Sequence, residues 1–318
     1  MDPSILRNIE AVYYPILAII GVPANILSIV ILSRRNCGLS RCITHYLASM
    51  AIADLLVLIF EVIMRMVKDI YFPKSFLDYT STCRLTFAFS VMSIDCSVWL
   101  TVAFSFDRSV SICCQTLRVK YCTEKTSAVV IAIVCGLCAV KCLPVYFVNQ
   151  PGIIIDSMAW FCVIKSDLYI LPVWKAYLCF DTILTPFAAF LFISLFNALT
   201  IRHILTSSKV RRSFREKNND SELENRRKSI ILLLSISGSF IFLWMLIPIC
   251  YVYAEFTENQ FYQTDYNDPF TVMEQTGYML QLLSSCTNTF IYAVAQTKFR
   301  NEVKNVITCQ NNQKIQKW

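Results

Sequence analysis

The sequence predicts an all-α membrane protein, in which seven transmembrane helices form a bundle and a short amphipathic helix follows the seventh. Hydrophobic residues make up 56% of the 318 residues and charged residues only 16%, whereas about a quarter of a soluble domain is charged. Seven apolar runs are each long enough to cross a bilayer, which takes about 20 helical residues. Lys and Arg are concentrated in the segments that join these runs. The alternative, a large soluble protein with a rich core, does not account for runs of this length.

The apolar runs lie at residues 11–33, 44–67, 83–113, 127–148, 174–205, 229–254 and 271–295. Inside a bilayer the backbone must satisfy its own hydrogen bonds, so we interpret the runs as helices. Transmembrane strands would be about ten residues long with strict alternation, which the sequence does not show. The first run is too long for a cleaved signal peptide and has no basic segment before it. We therefore expect three regions: an extracellular N-terminus at 1–10, a seven-transmembrane domain at 11–295, and the amphipathic helix with a cytoplasmic tail at 296–318.

The basic residues indicate how the chain is oriented. If the N-terminus is extracellular, 21 of the 29 Lys and Arg residues fall on the cytoplasmic side, as the positive-inside rule requires. They form short runs between apolar stretches, which suits an acidic membrane surface and not a nucleic acid. We expect a multi-pass plasma-membrane protein that is embedded in the lipid bilayer and does not bind nucleic acid.

Two predicted cytoplasmic segments follow from polarity. The stretch 206–229 is the most polar internal segment, and it is either a solvated linker or a docking surface beside helices five and six. Residues 297–303 are amphipathic and should lie along the inner membrane face. Cys309, just beyond them, is either a plain thiol or a palmitoylation site. The sequon-like 219–221 segment is cytoplasmic in this topology, so no glycan is expected there.

Motifs inside the spans narrow the function, because seven spans alone also fit transporters, enzymes and light-driven pumps. In chain order they are GVPAN at 21–25, LASMAIADL at 47–55, DRS at 107–109, Pro186, Phe240 with Trp244, and NTFIY at 288–292. This ordered set resembles the rhodopsin-like (class A) G-protein-coupled receptors over residues 11–303. The segments YYP at 13–15, SVWLTV at 97–102 and KFR at 298–300 are closest to an orphan subgroup that responds to the aromatic amino acids tryptophan and phenylalanine.

Asp54 places a carboxylate in mid-membrane, which costs at least about 2.5–3.5 kcal/mol there and calls for a cation, a proton or hydrogen-bond donors. The resemblance implies a sodium ion held by Asp54 with Ser97 and Asn288, and Ser93 and Ser284 could contribute. The alternative is a protonated or hydrogen-bonded Asp54 without an ion. Sodium would favour the inactive state by binding it preferentially, and we expect no other cofactor.

The resemblance also implies how the receptor contacts its heterotrimeric G protein. Asp107 would pair with Arg108, whose guanidinium is always charged, and activation would release Arg108 toward the G protein. A simple interfacial arginine is the alternative. Ser109 replaces the usual tyrosine, and residues 226–228 hold no acid that could act as a second lock on Arg108. Basal activity could therefore be raised.

The remaining activation residues that the resemblance implies are Pro186, Phe240, Trp244 and Tyr292. Two departures from the family pattern, at Thr289 and Pro248, concern helix bending. Thr289 stands where the family has proline, so the bend in helix seven should be smaller. Pro248 follows Trp244 by four residues where the family has two, so the bend in helix six should shift outward by about half a turn.

Fifteen cysteines are present, but most lie in apolar runs, where they behave as small hydrophobic residues. Cys37, Cys42 and Cys122 lie in predicted cytoplasmic loops and should stay reduced. Only Cys83 and Cys162 fall near the outer surface. The resemblance implies a disulfide between them, with two thiols as the alternative.

The ligand pocket should open outward between helices two, three, five, six and seven. Amine receptors carry an Asp on helix three where this chain has Ser90, and the seventh run has no lysine for retinal, so neither kind of ligand is expected. The aromatic-amino-acid receptors use an acid on helix three and a basic residue on helix six. The matching positions in this chain are Ser90 and about Ile247, so the ligand of those receptors cannot be assigned to this chain. Glu61 and Arg65 lie on one face of helix two and are either a self-satisfied salt bridge or a ligand anchor. The candidate pocket residues are Glu61, Arg65, Ser90, Ile94, Trp244, Tyr251 and Tyr278.

A second set of charges lies within the spans. Asp95 on helix three, Lys141 on helix four and Asp181 on helix five fall at similar depth, and family packing would bring them together. We expect an ionic cluster in which Lys141 bridges the two acids, with a mainly structural role.

The functional prediction is a receptor that binds an extracellular small molecule or short peptide and activates a heterotrimeric G protein. The chain shows no catalytic constellation, so an enzyme is not expected. A transporter is the first alternative, but it predicts broken helices and internal symmetry, which we do not detect. A non-signalling partner receptor is the second.

Overall fold

Helices account for most of the chain. A computed structural model describes residues 3–34, 39–213, 220–257 and 267–308. The α-helices are α1 (Pro3–Ser33), α2 (Arg41–Val57), α3 (Lys68–Tyr71), α4 (Thr80–Cys113), α5 (Gln115–Tyr121), α6 (Glu124–Cys142), α7 (Pro172–Thr182), α8 (Ala189–Ser213), α9 (Asp220–Trp244), α10 (Leu246–Thr257), α11 (Pro269–Ala295) and α12 (Thr297–Ile307). Wider π-helical segments, Leu58–Val67 and Ile183–Ala188, join α2 to α3 and α7 to α8, so each set forms one long helix. Short 3₁₀ turns lie at Phe76–Asp78, Leu143–Phe147 and Ser166–Tyr169.

Six helical stretches among the described residues are long and apolar enough to cross a membrane. They are Ile5–Ser33, Arg41–Tyr71, Thr80–Cys113, Glu124–Phe147, Pro172–Thr206 and Ile230–Ala254. Helix α11, 27 residues long, lies where the sequence predicts the seventh span. It is less apolar than the six because it carries buried polar residues such as Glu274, Gln281 and Asn288. The chain is therefore a helical, multi-pass membrane protein.

The first helix begins earlier than the sequence predicts. The structure starts α1 at Pro3, whereas the apolar run begins near residue 11. Leu6 and Glu10 are buried, with relative exposures of 5% and 6%. Packing therefore extends the helix through most of the segment that was expected to be an N-terminal extension.

A β-hairpin corrects the expectation of an all-α chain. Strand β1 (Asn149–Ile155) pairs antiparallel with β2 (Met158–Ile164), and Ile155 lies opposite Met158. The two residues between the strands, Asp156 and Ser157, have φ angles of 49° and 62°, as a two-residue hairpin turn of type I′ requires. The run of three isoleucines at 153–155 favours a strand, and it is a local signal that the helical pattern of the rest of the chain does not share.

Helix α4 lies at the centre of the bundle. It packs against α2, α6, α8 and α9, while α11 packs against α1, α9 and α10. Between these helices lies a core that includes Leu47, Met50, Leu100, Phe104 and Leu232. Within a membrane such contacts stabilise through close packing, because lipid is as apolar as the side chains themselves.

The sixth long helix is interrupted immediately after Trp244. Helix α9 ends at Trp244 and α10 begins at Leu246. Pro248 has no N–H to donate to the carbonyl of Trp244, four residues earlier, which breaks the helical ladder there. The interruption lies on the C-terminal side of Trp244, which is the side on which Pro248 lies.

The seventh long helix runs unbroken through Thr289, and the threonine bonds to α1 instead of bending the helix. Its hydroxyl accepts a hydrogen bond from Ser28 Oγ at 2.8 Å and donates to the Ala24 carbonyl at 3.2 Å. Both Ser28 and Thr289 are buried. Thr289 therefore joins α11 to α1 at the position where the family has a proline.

Thr289→Val should lower the thermal stability of the protein, because it removes two interhelical hydrogen bonds while keeping the side-chain shape. Bonds of this kind in membranes contribute about 0.5–2 kcal/mol. Thermal unfolding in detergent measures the effect. Thr287→Val is the matched control, since the Thr287 hydroxyl bonds only to the Ser284 carbonyl of its own helix. If the two variants unfold at the same temperature, the α1–α11 link does not stabilise the fold.

Candidate functional site

The two ends of the bundle can be named after the elements that lie there. The hairpin end holds β1 and β2, and the α12 end holds α12. Helix α4 begins at Thr80 beside the hairpin and ends at Cys113. The position of a residue along α4 therefore indicates its depth in the bundle. The predicted functional residues fall into groups at both ends and at the middle.

At mid-depth the structure brings Ser97 and Asn288 to Asp54. Ser97 Oγ donates to Asp54 Oδ1 at 2.6 Å, and Asn288 Nδ2 donates to Oδ2 at 2.8 Å. Asp54 is only 1% exposed. Ser93 and Ser284 do not contact Asp54: their hydroxyls donate to the Phe89 and Gln281 carbonyls of their own helices.

The residues around Asp54 fit a hard cation. The Asp54 carboxylate and the Ser97 hydroxyl supply oxygen ligands, which such ions prefer. Asn25 lies on α1, its amide nitrogen donates to the Gly21 and Ser285 carbonyls, and its buried Oδ1 has no hydrogen-bond partner among the described residues. If sodium binds here, Asp54 and Ser97 would hold it.

Trp244 and Phe240 stack beside this polar centre. Their rings lie 5.0 Å apart, and Phe190 packs edge-on against Phe240 at 5.8 Å. The indole Nε1 of Trp244 donates to Ser284 Oγ at 2.9 Å. Ser284, predicted as a sodium ligand, therefore links the sixth and seventh long helices. Pro186 lies in the π-helical segment between α7 and α8.

Close packing at Gly21 holds α1 against this centre. A Cβ atom added at Gly21 would lie 2.7 Å from a methyl group of Leu58 and would also clash with Cys286. Glycine is therefore needed there for the approach of α1 to its neighbours.

At the α12 end, Asp107 and Arg108 form a buried ion pair. The Arg108 guanidinium donates to Asp107 Oδ2 through both Nε and Nη2, and the two residues are 3% and 5% exposed. Cys42 Sγ donates to Asp107 Oδ1 at 3.1 Å. Cys42 lies within α2 and not in a loop, so the structure corrects that expectation. The side chains at 226–228, where no second acid was expected, lie outside the described part.

Cys122 approaches the same aspartate from the segment between α5 and α6. Its Sγ lies 3.8 Å from the Asp107 carbonyl oxygen. Burial, with the charge of Asp107 second, raises the pKa of the Cys122 thiol to about 11. The thiol is therefore protonated at neutral pH and a poor nucleophile.

Tyr292 packs against α12. Its ring lies edge-on to Phe299 at 5.8 Å, and Phe299 is fully buried. The Tyr292 hydroxyl is buried, and no described residue hydrogen-bonds to it. Helix α12 extends to Ile307, one turn beyond the predicted 297–303 segment. Cys309 lies outside the described residues.

At the hairpin end, a disulfide joins Cys83 to Cys162 and fixes β2 to the start of α4, with the Cα atoms 6.2 Å apart. Thr80 Oγ1 donates to the Phe161 carbonyl at 2.9 Å. The rings of Tyr79 and Trp160 lie 4.4 Å apart. The base of the hairpin is therefore held over the end of the bundle.

Below the hairpin the structure joins the pocket candidates Glu61, Arg65 and Ser90. Glu61 accepts hydrogen bonds from both Arg65 and Ser90. The Arg65 guanidinium lies over the Phe87 ring, 4.7 Å from its centre. Glu61 is 6% exposed, whereas the Arg65 side chain is 31% exposed. Both lie in the π-helical segment Leu58–Val67, and such segments are frequent at functional sites.

The other candidate pocket residues are spread over three helices. Ile94 packs with Trp244 in one apolar cluster. Tyr251 on α10 and Tyr278 on α11 are half-buried. The part of these two tyrosines in a pocket stays a prediction.

The structure also joins the three charged residues Asp95, Lys141 and Asp181. Lys141 Nζ lies 2.7 Å from Asp95 Oδ2 and 2.5 Å from Asp181 Oδ1. Two further residues take part that sequence reasoning missed: Thr185, one turn after Asp181, and Cys142, next to Lys141. We call Asp95, Lys141 and Asp181 the ion triad, and Thr185 and Cys142 its two polar neighbours.

Residues 24–292 match the sequence profile of the rhodopsin family of seven-transmembrane receptors. The chain belongs to this family. Over 267 residues it is 26% identical to the probable G-protein-coupled receptor tkr-1 of Caenorhabditis elegans, which covers 80% of the chain and 60% of that protein. Over 97 residues it is 30% identical to the probable G-protein-coupled receptor npr-8 of the same organism, covering 30% of the chain and 19% of that protein. The matches thus span less than two thirds of either relative.

Two polar links and one buried amide are further features that the motifs did not reveal. Asn197 Nδ2 donates to Ser237 Oγ at 2.8 Å and joins α8 to α9. Arg41 and Glu124 pair at 2.8 Å and join α2 to α6 at the α12 end. Gln281 is buried on α11, and its Oε1 has no hydrogen-bond partner among the described residues. None of the three belongs to a recognisable motif, so only the fold brings them out.

Proposed function

We propose that this family member is a plasma-membrane receptor that binds an extracellular small molecule or short peptide at the hairpin end. Its α12 end would then catalyse nucleotide exchange on a heterotrimeric G protein. The buried Asp107–Arg108 pair carries the proposal: it lies at the far end of the same helix, α4, whose start is joined by a disulfide to the hairpin. One helix thus connects a ligand-facing end with an end that holds a releasable cation.

The proposal includes seven spans, with α11 as the seventh. Its polar residues Glu274, Ser285 and Thr289 are buried, so they face other helices and not lipid. The disulfide supports an extracellular hairpin end, since disulfides persist in oxidising compartments. The bias of Lys and Arg toward the opposite loops supports the same orientation and an extracellular N-terminus.

Activation would require the Asp107–Arg108 pair to separate. In the buried setting described above, Arg108 is held by its neighbour and is not available to a protein docking at the α12 end. A ligand that binds the open arrangement better than the closed one shifts the population toward it by its difference in affinity. The interruption beside Trp244 gives the sixth long helix a position at which it can bend.

Nucleotide exchange tests the proposal. Free amino acids, beginning with tryptophan and phenylalanine, and short peptides would be applied to membranes that contain the receptor and a G-protein heterotrimer. An activating ligand should raise exchange with the wild-type receptor and not with Arg108→Ala at equal surface expression. If compounds that bind the receptor leave exchange unchanged, the proposal is wrong; ligand flux across the membrane would instead indicate a transporter.

Sodium is proposed as an allosteric inhibitor that acts at Asp54. When NaCl is replaced by N-methylglucamine chloride at constant ionic strength, basal exchange should rise several-fold, within the range of roughly 5- to 150-fold that is typical of allosteric coupling. Asp54→Asn should abolish this response, whereas Asp69→Asn, which neutralises a carboxylate on a side chain that is 65% exposed, should retain it. A wild-type receptor that is indifferent to sodium would leave Asp54 as a hydrogen-bonded structural residue.

A further inference from the structure

A shallow groove lies on the surface of α8, toward the α12 end of the bundle. Its volume is about 430 Å³, and the described residues that line it are Ala198, Ile201, Arg202, Leu205 and Thr206. All five residues are exposed. The groove thus combines apolar side chains with one positive charge.

The groove faces away from the other helices. Ile193, Asn197 and Thr200 share one face of α8: Ile193 and Thr200 are fully buried, and Asn197 hydrogen-bonds to α9. Because successive residues of an α-helix are about 100° apart, Ala198 and Arg202 lie on the opposite face. Lipid surrounds the outward faces of the helices in a multi-pass membrane protein, so the groove opens to the bilayer.

Arg202 lies near the membrane boundary at the α12 end. Cys113, the last residue of α4, donates through Sγ to the Leu199 carbonyl at 3.8 Å. Arg202 is in the next turn of α8, and the apolar stretch Pro172–Thr206 ends one turn later. An arginine at the end of a span extends its charged group toward the lipid headgroups.

The Arg202 guanidinium forms no ion pair with any described residue. Arg41 and Arg108 at the same end differ in this respect, since they pair with Glu124 and Asp107. A guanidinium can bind a phosphate through two parallel N–H donors. Arg202 therefore provides a charge that suits a phosphate group at the edge of the bilayer.

An apolar stripe leads from Arg202 toward the middle of the membrane. Leu191, Leu195 and Ala198 precede Arg202 at helical spacing on the same face of α8. Leu191 and Leu195 are 67% and 47% exposed. The helix rises by about 16 Å between Leu191 and Arg202, which is roughly half of the hydrocarbon thickness of a bilayer. The stripe therefore has the length of one acyl chain in a single leaflet.

We propose that this groove binds one acidic phospholipid of the inner leaflet. The lipid phosphate binds the Arg202 guanidinium, and one acyl chain lies along Leu191, Leu195 and Ala198. The inference rests on the orientation proposed above, in which the α12 end is cytoplasmic, because acidic lipids are concentrated in the cytoplasmic leaflet. It adds a lipid partner to the proposed receptor function.

Native mass spectrometry of the purified receptor in an uncharged detergent tests the proposal, with phosphatidylserine and phosphatidylcholine of identical acyl chains as probes. The wild-type receptor should bind the first phosphatidylserine about fivefold more tightly than phosphatidylcholine, as expected for one basic residue beside an acidic lipid. Arg202→Gln should lose this preference. Ala198→Trp fills the groove and keeps the charge, so it should weaken the binding of both lipids. Both residues are exposed, so the two variants should unfold at the wild-type temperature in the absence of lipid.

Arg118→Gln is the matched control, since Arg118 is also exposed and lies on α5 near the α12 end; it should bind both lipids as the wild-type receptor does. The proposal is overturned if Arg202→Gln keeps the preference, or if Arg118→Gln loses it equally, which would indicate general surface charge. It is also overturned if free phosphoserine competes as well as the lipid, or if the spectra show a receptor dimer that Ala198→Trp dissociates without any effect on lipid. Because no G protein is present, these outcomes are independent of the nucleotide-exchange test.

Discussion

Lys141→Met is expected to remove most of the folded receptor from the cell surface. The substitution leaves Asp95 and Asp181 facing each other without the ammonium that now lies between them at 2.7 and 2.5 Å. Removing one partner of a buried ion pair typically costs about 3–5 kcal/mol, which is a large fraction of the stability of most proteins. Surface expression, measured with an N-terminal epitope tag on intact cells, reports the loss.

A charge-neutral variant provides the control. Lys141→Met combined with Asp95→Asn and Asp181→Asn removes both carboxylates together with the ammonium, so expression should recover much of the way to wild type. Replacing a complete buried ionic group is commonly far less costly than breaking it. If Lys141→Met alone is expressed at the wild-type level, Lys141 does not bridge the two acids.

Asp107→Asn is expected to raise basal nucleotide exchange by about tenfold, which corresponds to a shift of about 1.4 kcal/mol in the equilibrium between receptor states. The asparagine keeps the shape and the hydrogen bond from Cys42 Sγ, but it removes the negative charge that holds Arg108. The side chains of the pair are 4% and 5% exposed, so water screens this attraction poorly. Exchange in the absence of ligand, normalised to surface expression, is the measurement.

The double variant Asp107→Asn with Arg108→Ala separates release of the arginine from general loosening of the α12 end. It should return to the exchange rate of the empty membrane, because the group that the first substitution releases is absent. Equal basal rates for Asp107→Asn and the wild-type receptor would show that the pair does not restrain activity.

The long helices and the polar centre could be predicted because their signals are local or tied to motifs. Apolar runs located the spans to within a few residues, apart from α1, where packing of Leu6 and Glu10 extends the helix toward Pro3. The family motif placed Ser97 and Asn288 beside Asp54. It did not show that Ser93 and Ser284 bond to their own helices, because rotamers of serine depend on the neighbouring turn.

Contacts between helices account for what the sequence did not reveal. Nothing in the chain order indicates that Thr289 bonds to Ser28, or that Cys42 and Cys122 both reach Asp107. These pairs are far apart along the chain and follow no periodic pattern. The hairpin is different: its isoleucines and the Asp156-Ser157 turn are local signals, and they were outweighed by the expectation of helices throughout.

The ion triad was predictable in part from the sequence and depends in part on contacts between helices. Its three charges were predicted to meet because charged groups at equal depth in a bilayer seek partners. The way in which the triad is completed depends on Thr185, which accepts a hydrogen bond from Lys141 and donates one to Asp95. That detail is a matter of side-chain geometry, which the sequence does not specify.

Basal nucleotide exchange tests the central claim most directly. Purified wild-type receptor, Asp107→Asn and Arg108→Ala would each be placed in lipid nanodiscs with purified heterotrimers of each G-protein class. We expect exchange above that of empty nanodiscs for the wild-type receptor, a faster rate for Asp107→Asn, and a rate equal to that of empty nanodiscs for Arg108→Ala. If the wild-type receptor and Asp107→Asn both leave every heterotrimer at the rate of empty nanodiscs, the α12 end does not activate G proteins.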